Sequence, residues 1–185
     1  MEAEVRKNIH DRMEKSLEAL KKDLAAIRTG RASLSIFDGI TIDYYGTPTM
    51  INQVATMAIP ESRLITIQPW EPKMISEIEK AIQKSDLGLN PSNDGKIIRI
   101  AIPPLTEERR KQIIKHVHKR VEEAKVSIRN IRREGNDEVK KLEKDEHLSE
   151  DDTKRSLDEI QKLTDSYIKR ADEIMEHKEK ELMEV

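Results

Sequence analysis

The sequence predicts an α+β protein: an antiparallel three-helix bundle with a small β-rich domain inserted into its first connection. Three observations lead there. All seven prolines fall between Pro48 and Pro104, and five of the six glycines between Gly30 and Gly95. On either side of that window apolar residues recur at three- and four-residue steps, the period of an amphipathic helix. Charged residues make up 38% of the 185 and aromatics 3%, a composition for long helices packed along aliphatic seams.

The first helical block, Glu2 to Arg28, carries Val5, Ile9, Met13, Leu17, Leu20, Leu24 and Ile27 on one stripe, with Gly30 placed to cap its C-terminus. The middle segment switches to strand signals. Ile40–Tyr45 is β-rich and closes on Gly46-Thr-Pro48. Ala55–Ile59 and Arg63–Gln68 alternate around Pro60-Glu-Ser62, a hairpin pattern. Met74–Lys84 reads as one short amphipathic helix, and Asn93-Asp-Gly95 turns into a last strand over Lys96–Ile102. Thr106, followed by Glu107 and Glu108, opens the second long helix, because acids favour a helix start. Its expected seam is Ile114, Val117, Val121, Ala124, Ile128, Ile131, Gly135 and Leu142, interrupted near Glu138. After a break at Glu146-His147-Leu148, Ser149-Glu-Asp-Asp152 opens a third long helix as a capping-box-like start. That helix shows Leu157, Ile160, Leu163, Tyr167, Ala171, Ile174 and Leu182.

The order of elements sets the topology. Residues 1–29 and 106–185 are expected to form one discontinuous bundle, with residues 30–105 as the insert. Two connections join them. One contains Thr29 and Gly30, where glycine loosens the backbone. The other is Pro103-Pro104-Leu105-Thr106, stiffened by two fixed φ angles. A loose strand beside a stiff one predicts a hinge of restricted swing.

Charge is the strongest functional signal. From Arg109 to Arg133 ten bases face two acids, a net of +8 (10 − 2), whereas residues 134–185 hold 18 acids and 10 bases, a net of −8. Such a polarised chain suits a polyanion, above all a nucleic acid. Two other readings stay open on charge alone: bases that pair internally with the acidic helix, and a coiled-coil adaptor for an acidic protein. On a helical wheel Lys125, Arg129, Arg132 and Arg133 share a face adjoining the seam, with Arg132 nearest it. Three arginines of four favour phosphate, which the planar guanidinium grips bidentately. Arg110 extends the positive region along the helix, and Arg28 and Arg31 lie near its start.

The residues offer no catalytic or metal site. Without cysteine there is no disulfide, thiolate ligand or thiol nucleophile. His116 and His118 stand two apart on a helix, too far around it to chelate one metal. Glu150, Asp151 and Asp152 lack the spacing of a calcium loop and read as acids at a helix start. No glycine-rich phosphate loop follows a strand. Trp70 is expected to pack within the insert, and Tyr44 and Tyr45 to point to opposite faces of a strand. The N-terminus lacks an apolar leader and no run approaches bilayer length, so a cytoplasmic protein without a membrane is expected.

Five segments then stand in a telling order: Ile27-Arg-Thr-Gly-Arg-Ala-Ser33, Tyr44-Tyr-Gly-Thr-Pro-Thr49, Ser85-Asp-Leu-Gly-Leu-Asn-Pro91, Pro103-Pro-Leu-Thr-Glu-Glu-Arg-Arg110 and Ile128-Arg-Asn-Ile-Arg-Arg133. Together they resemble the bacterial ribosome recycling factor family over the whole chain. Met50 departs from the second proline that many members carry there. The resemblance implies an L-shaped, tRNA-sized monomer with the bundle as its long arm. It implies that, with elongation factor G and GTP, the molecule splits post-termination ribosomes into subunits. It also implies no cofactor, metal or small-molecule substrate of its own and no enzymatic activity. Arg110, Arg129, Arg132 and Arg133 match family positions that face the rRNA of the large subunit, with Arg28 and Arg31 nearby. The insert and the hinge are where the family meets elongation factor G.

Overall fold

A computed structural model of the chain describes residues 1–145 and 147–184, which divide into two compact units. The first comprises 1–28 with 107–184, and the second 29–106. Thr29 and Thr106 thus belong with the insert, one residue outside the expected boundaries on each side. Glu146, in the expected inter-helix break, and Val185, the end of the expected bundle, lie outside the described residues.

In the first unit α1 (Glu2–Ala25) buries Ile9, Met13, Leu17, Leu20 and Leu24, the predicted stripe. It stops three residues short of Arg28. Ala26 closes it in right-handed conformation, its N–H donating to the Lys22 carbonyl while the Ile27 N–H donates to the Leu24 carbonyl. Gly30, at φ 78°, therefore lies beyond the helix and is not its cap. Helix α3 (Glu107–Lys144) buries Ile113, Val117, Val121, Ala124, Ile128, Ile131, Gly135 and Val139. Ile113 rather than Ile114 takes the first seam position, and Val139 fills the interruption expected near Glu138. Leu142 is only half-buried.

Helix α4 (Glu150–Met183) starts as predicted. The Ser149 hydroxyl accepts from the Asp152 N–H at 3.1 Å and donates to the Asp152 carboxylate at 2.7 Å. Its inner face is more polar than expected: Thr153, Ser156 and Thr164 are buried while Leu157, Leu163 and Ile174 are half-buried. Two of these hydroxyls find partners, one within the helix and one on α1, while the Thr153 hydroxyl has none among the described residues. Thr164 donates to the Ile160 carbonyl at 2.8 Å, and Ser156 donates to Glu2.

Side-chain pairs give the helix directions. Ser16 meets Ser127, Asp23 meets Arg120 and Arg12 meets Glu134, so numbers fall on α3 as they rise on α1. Arg6 meets Glu159 and Glu14 meets Arg170, so α1 and α4 run parallel. The bundle is up-down-up.

The second unit contains β1 (Thr41–Tyr44), β2 (Thr47–Met50), β3 (Ala55–Glu61), β4 (Leu64–Pro69), α2 (Met74–Lys84), β5 (Pro91–Asn93) and β6 (Ile98–Ala101). Strands β1 and β2 form their own hairpin. The other four form an antiparallel sheet in the order β3-β4-β6-β5. Ile65, Ile67, Ile98 and Ile100 of that sheet and Ile78 and Ile82 of α2 make a fully buried aliphatic core. Helix α2 spans the predicted residues. Two short strands depart from the expectation: β2 carries Pro48, and β5 begins with Pro91. Both are tolerable because each strand is at an edge, where a proline costs no ladder bond.

Candidate nucleic-acid interface

Helix α3 presents its basic residues from a backbone fixed by the buried seam Val117, Val121, Ala124, Ile128 and Ile131. Arg129, Arg132 and Arg133 lie three and four positions apart, so they share a side of the helix within about one turn. Arg133 is exposed, and Arg129 and Arg132 are half-buried. Burial at Ile128 and Ile131 locks the turn that carries them.

Lys125 does not belong to this exposed group. It is 9% exposed and ion-paired with Asp172 on α4, with Glu122 a second partner at 3.4 Å. The Asp172 hydrogen bond holds its ammonium above the usual lysine range, against the pull of burial. The wheel put Lys125 beside the arginines correctly, but that position faces α4. Its charge is used within the bundle.

The remaining sequence-predicted bases separate. Arg110 is about 22 residues upstream of Arg132 on the same helix, roughly 33 Å along its axis. Arg28 is exposed at the end of the first unit, whereas Arg31 is exposed within the second. Within the first unit Arg110 is therefore distinct from the Arg129–Arg133 group.

The pattern of partners distinguishes the arginines. Arg120 donates to Asp23 at 2.6 Å, His118 pairs with Glu179, and Lys125 with Asp172. Arg129, Arg132 and Arg133 make no ion pair among the described residues. Arg132 instead donates from Nη1 to the neutral Gln161 Oε1 at 3.4 Å. Three acids elsewhere in the bundle are engaged by other groups: Glu134 by Arg12, Glu159 by Arg6, and Glu14 by Arg170 and Tyr167. What results is a cluster of three guanidiniums that keeps its positive charge beside the paired Arg120 and Lys125, the property a phosphate backbone requires.

In the second unit the hairpin tip carries another polar group. Tyr45 and Gly46 take φ of 52° and 84°, the left-handed pair of a tight two-residue turn. This turn bends Tyr45 out of the strand, so the tyrosines do not point to opposite faces. Both hydroxyls converge on Glu71, at 2.8 Å from Tyr44 and 2.9 Å from Tyr45, and Lys73 bonds the Tyr45 hydroxyl. Those donors hold the Glu71 carboxyl below the usual range, and its acceptance from Tyr44 pushes that phenol up. Trp70 is also not a core residue. It is 64% exposed, its indole N–H donating to the Thr56 hydroxyl at 3.0 Å.

Among the described residues no group of three histidines or acids could hold a metal, and no helix is long and apolar enough to cross a membrane.

Comparison with known proteins decides the assignment. The ribosome recycling factor family model matches residues 20–183. The chain belongs to that family. The ribosome-recycling factor of Desulfatibacillum aliphaticivorans is 61% identical over 174 residues, covering 94% of each chain. That of Brevibacillus brevis is 55% identical over 178 residues, covering 96% of each. A solution structure of a ribosome recycling factor matches with a TM-score of 0.74 at 42% identity, covering 100% of this chain and 98% of that one. A second structure matches with a TM-score of 0.62 at 48% identity, over 98% of each chain. It shows the T. thermophilus ribosome recycling factor with E. coli elongation factor G, bound to the E. coli post-termination complex.

The α4 partners Gln161 and Asp172, which meet Arg132 and Lys125 in this ribosome recycling factor family member, were not evident in the sequence. The available signal was seven-residue spacing across two antiparallel helices, which needs the register between them.

Proposed function

We propose that this chain binds the large-subunit rRNA of post-termination ribosomes through Arg129, Arg132 and Arg133, with Arg110 a separate contact further along α3. Together with elongation factor G and GTP, it then splits the ribosome into subunits for a new round of initiation. Membership of the family and the bound state of the T. thermophilus relative support this reading. The observation that carries it is the un-neutralised cluster of three guanidiniums on a helix where Arg120 and Lys125 are neutralised within the bundle.

The chain's own contribution is mechanical and electrostatic. Interlocked seams make the bundle stiff, and the arginines would anchor it by displacing counterions from phosphates. The connections at Thr29-Gly30 and Pro103–Thr106 act as the hinge in this reading. Each is held close by: the Ala32 N–H donates to the Ser62 carbonyl at 2.7 Å and the Ile102 N–H to the Arg63 carbonyl at 2.8 Å. Both strands of chain are thus tied to one turn between β3 and β4, which confines any flexing to the few residues outside those bonds.

The experiment is co-sedimentation with isolated large ribosomal subunits across a salt series. Arg132→Ala is expected to weaken binding by ~1–3 kcal/mol, the worth of a charge-assisted phosphate contact, with helicity unchanged. Affinity equal to the parent's would remove Arg132 as an anchor.

A further inference from the structure

The bases at 118, 125 and 132 stand seven residues apart on α3, one per heptad, on the side that meets α4. Their partners on the antiparallel α4 descend in step. His118 pairs with Glu179, and Lys125, seven residues on, pairs with Asp172, seven residues back. Continuing the series by one heptad matches Arg132 with Asp165. An arginine and an aspartate at that register would extend the ladder with an ion pair.

The third rung is built differently. The Gln161 Nε2 donates to Asp165 Oδ1 at 2.8 Å, and Arg132 Nη1 donates to Gln161 Oε1 at 3.4 Å. The carboxylate of Asp165 only accepts, so it must face the amide nitrogen and leave the amide oxygen for the guanidinium. A neutral side chain one turn away on α4 therefore occupies the acid that the register offers to Arg132. In exchange it gives the arginine one weak bond. A guanidinium has five donors, and this arrangement uses only one of them.

We infer that Gln161 is a positioning residue for ribosome binding: it engages Asp165 and steadies Arg132, keeping that guanidinium oriented and un-neutralised for a phosphate. This rests on the reading that Arg132 is an rRNA anchor. The contrast with Lys125 shows what is avoided. Both bases occupy the same heptad position, but the lysine is neutralised in the seam whereas the arginine is kept for an external partner. Gln161 is itself exposed, so its replacement leaves the packed seam intact.

The test uses full-length protein, isolated large subunits and a salt series, with four variants: Gln161→Ala, Asp165→Asn, the two combined, and Arg132→Ala. Removing Gln161 frees Asp165 to pair with Arg132. Gln161→Ala should then bind about three- to tenfold more weakly. The slope of log affinity against log salt should fall by roughly 0.7–0.9, as for one lost phosphate contact. Asp165→Asn alone should bind like the parent. The combined variant, with no acid to capture the arginine, should recover most of the affinity and the slope. A structural role for Gln161 would predict no such rescue. If Arg132→Ala weakens binding while Gln161→Ala does not, or Asp165→Asn fails to restore the combined variant, the inference about Gln161 is overturned and the anchor stands. If Arg132→Ala binds like the parent, both fall.

Discussion

Tyr167 on α4 donates its hydroxyl to the Glu14 carboxylate on α1 at 2.6 Å, and this bond organises the middle of the bundle. Arg170 completes it, bonding both oxygens of Glu14 at 3.0 and 3.2 Å while its guanidinium lies 5.0 Å from the Tyr167 ring. Tyr167 is buried, so an unbonded hydroxyl there would be costly. Burial, followed by the bond to Glu14, pushes its phenol up to about 12. Tyr167→Phe should lower unfolding stability by about 1–2 kcal/mol, measured by urea denaturation, since it removes a bond to a charged acceptor but little packing. Unchanged stability would show that the hydroxyl contributes nothing net.

The same group predicts an acid dependence. Hydrogen bonds from Arg170 first and Tyr167 second lower the Glu14 carboxyl from 4.5 to about 2. A folded-state value below the unfolded one contributes stability that is complete above about pH 4.5 and is lost as the pH falls toward 2. The difference in thermal midpoint between the parent and Glu14→Gln should therefore be present at pH 7 and close over that acid window. A difference that stays constant down to pH 2 would contradict this.

Gly135 marks a close approach of α3 to α1. A β-carbon there would sit 2.8 Å from Ile9 Cγ1, and closer still to the end of that side chain. In an exposed helix, glycine to alanine would stabilise by about 1 kcal/mol. Here the clash should reverse the sign, with Gly135→Ala destabilising by about 1–2 kcal/mol. Ile9→Ala costs stability alone by opening a cavity, but combined with Gly135→Ala it should cost less than the sum of the two. Additive losses would mean the contact is not what excludes a side chain at 135.

Lys125 and Arg132 should separate by assay. Lys125→Ala strips Asp172 of its partner at a nearly buried position and is expected to destabilise by about 1–3 kcal/mol. Its large-subunit affinity, measured below its unfolding range, should stay within about twofold of the parent's, less than the loss of one charge-assisted contact. Arg132→Ala should show the opposite pattern. A large affinity loss at Lys125 with stability intact would return it to the interface.

The helices were legible in the sequence because proline and glycine punctuation and apolar periodicity are local signals. Helix α2 and the Ser149 cap were readable for that reason. The errors share a cause. Lys125 and Arg132 look alike on a single-helix wheel, and only the register with α4 shows that one faces Asp172 and the other Gln161. Val139 filled a gap that a strict heptad reading left open. The Tyr44–Tyr45 error came from reading a strand through a turn whose two left-handed residues reverse it. Pro48 hid β2 and Pro91 hid β5, since proline argues against a strand unless the edge position is known.

Gly30 tests the hinge. At φ 78° it sits where an L-residue is strained by about 1 kcal/mol and where proline, fixed near −65°, cannot fit. Gly30→Pro should slow subunit splitting in a stopped-flow light-scattering assay more than it weakens binding to the large subunit. Equal splitting rates would rule out this connection as a mechanical element.

Under the proposed function, this chain takes part in splitting post-termination ribosomes. The direct measurement is sucrose-gradient sedimentation of such ribosomes with the protein, elongation factor G and GTP. Free subunits should rise only when all three are present, and Arg132→Ala should blunt the rise at limiting protein. A gradient unchanged by the complete mixture would contradict the account.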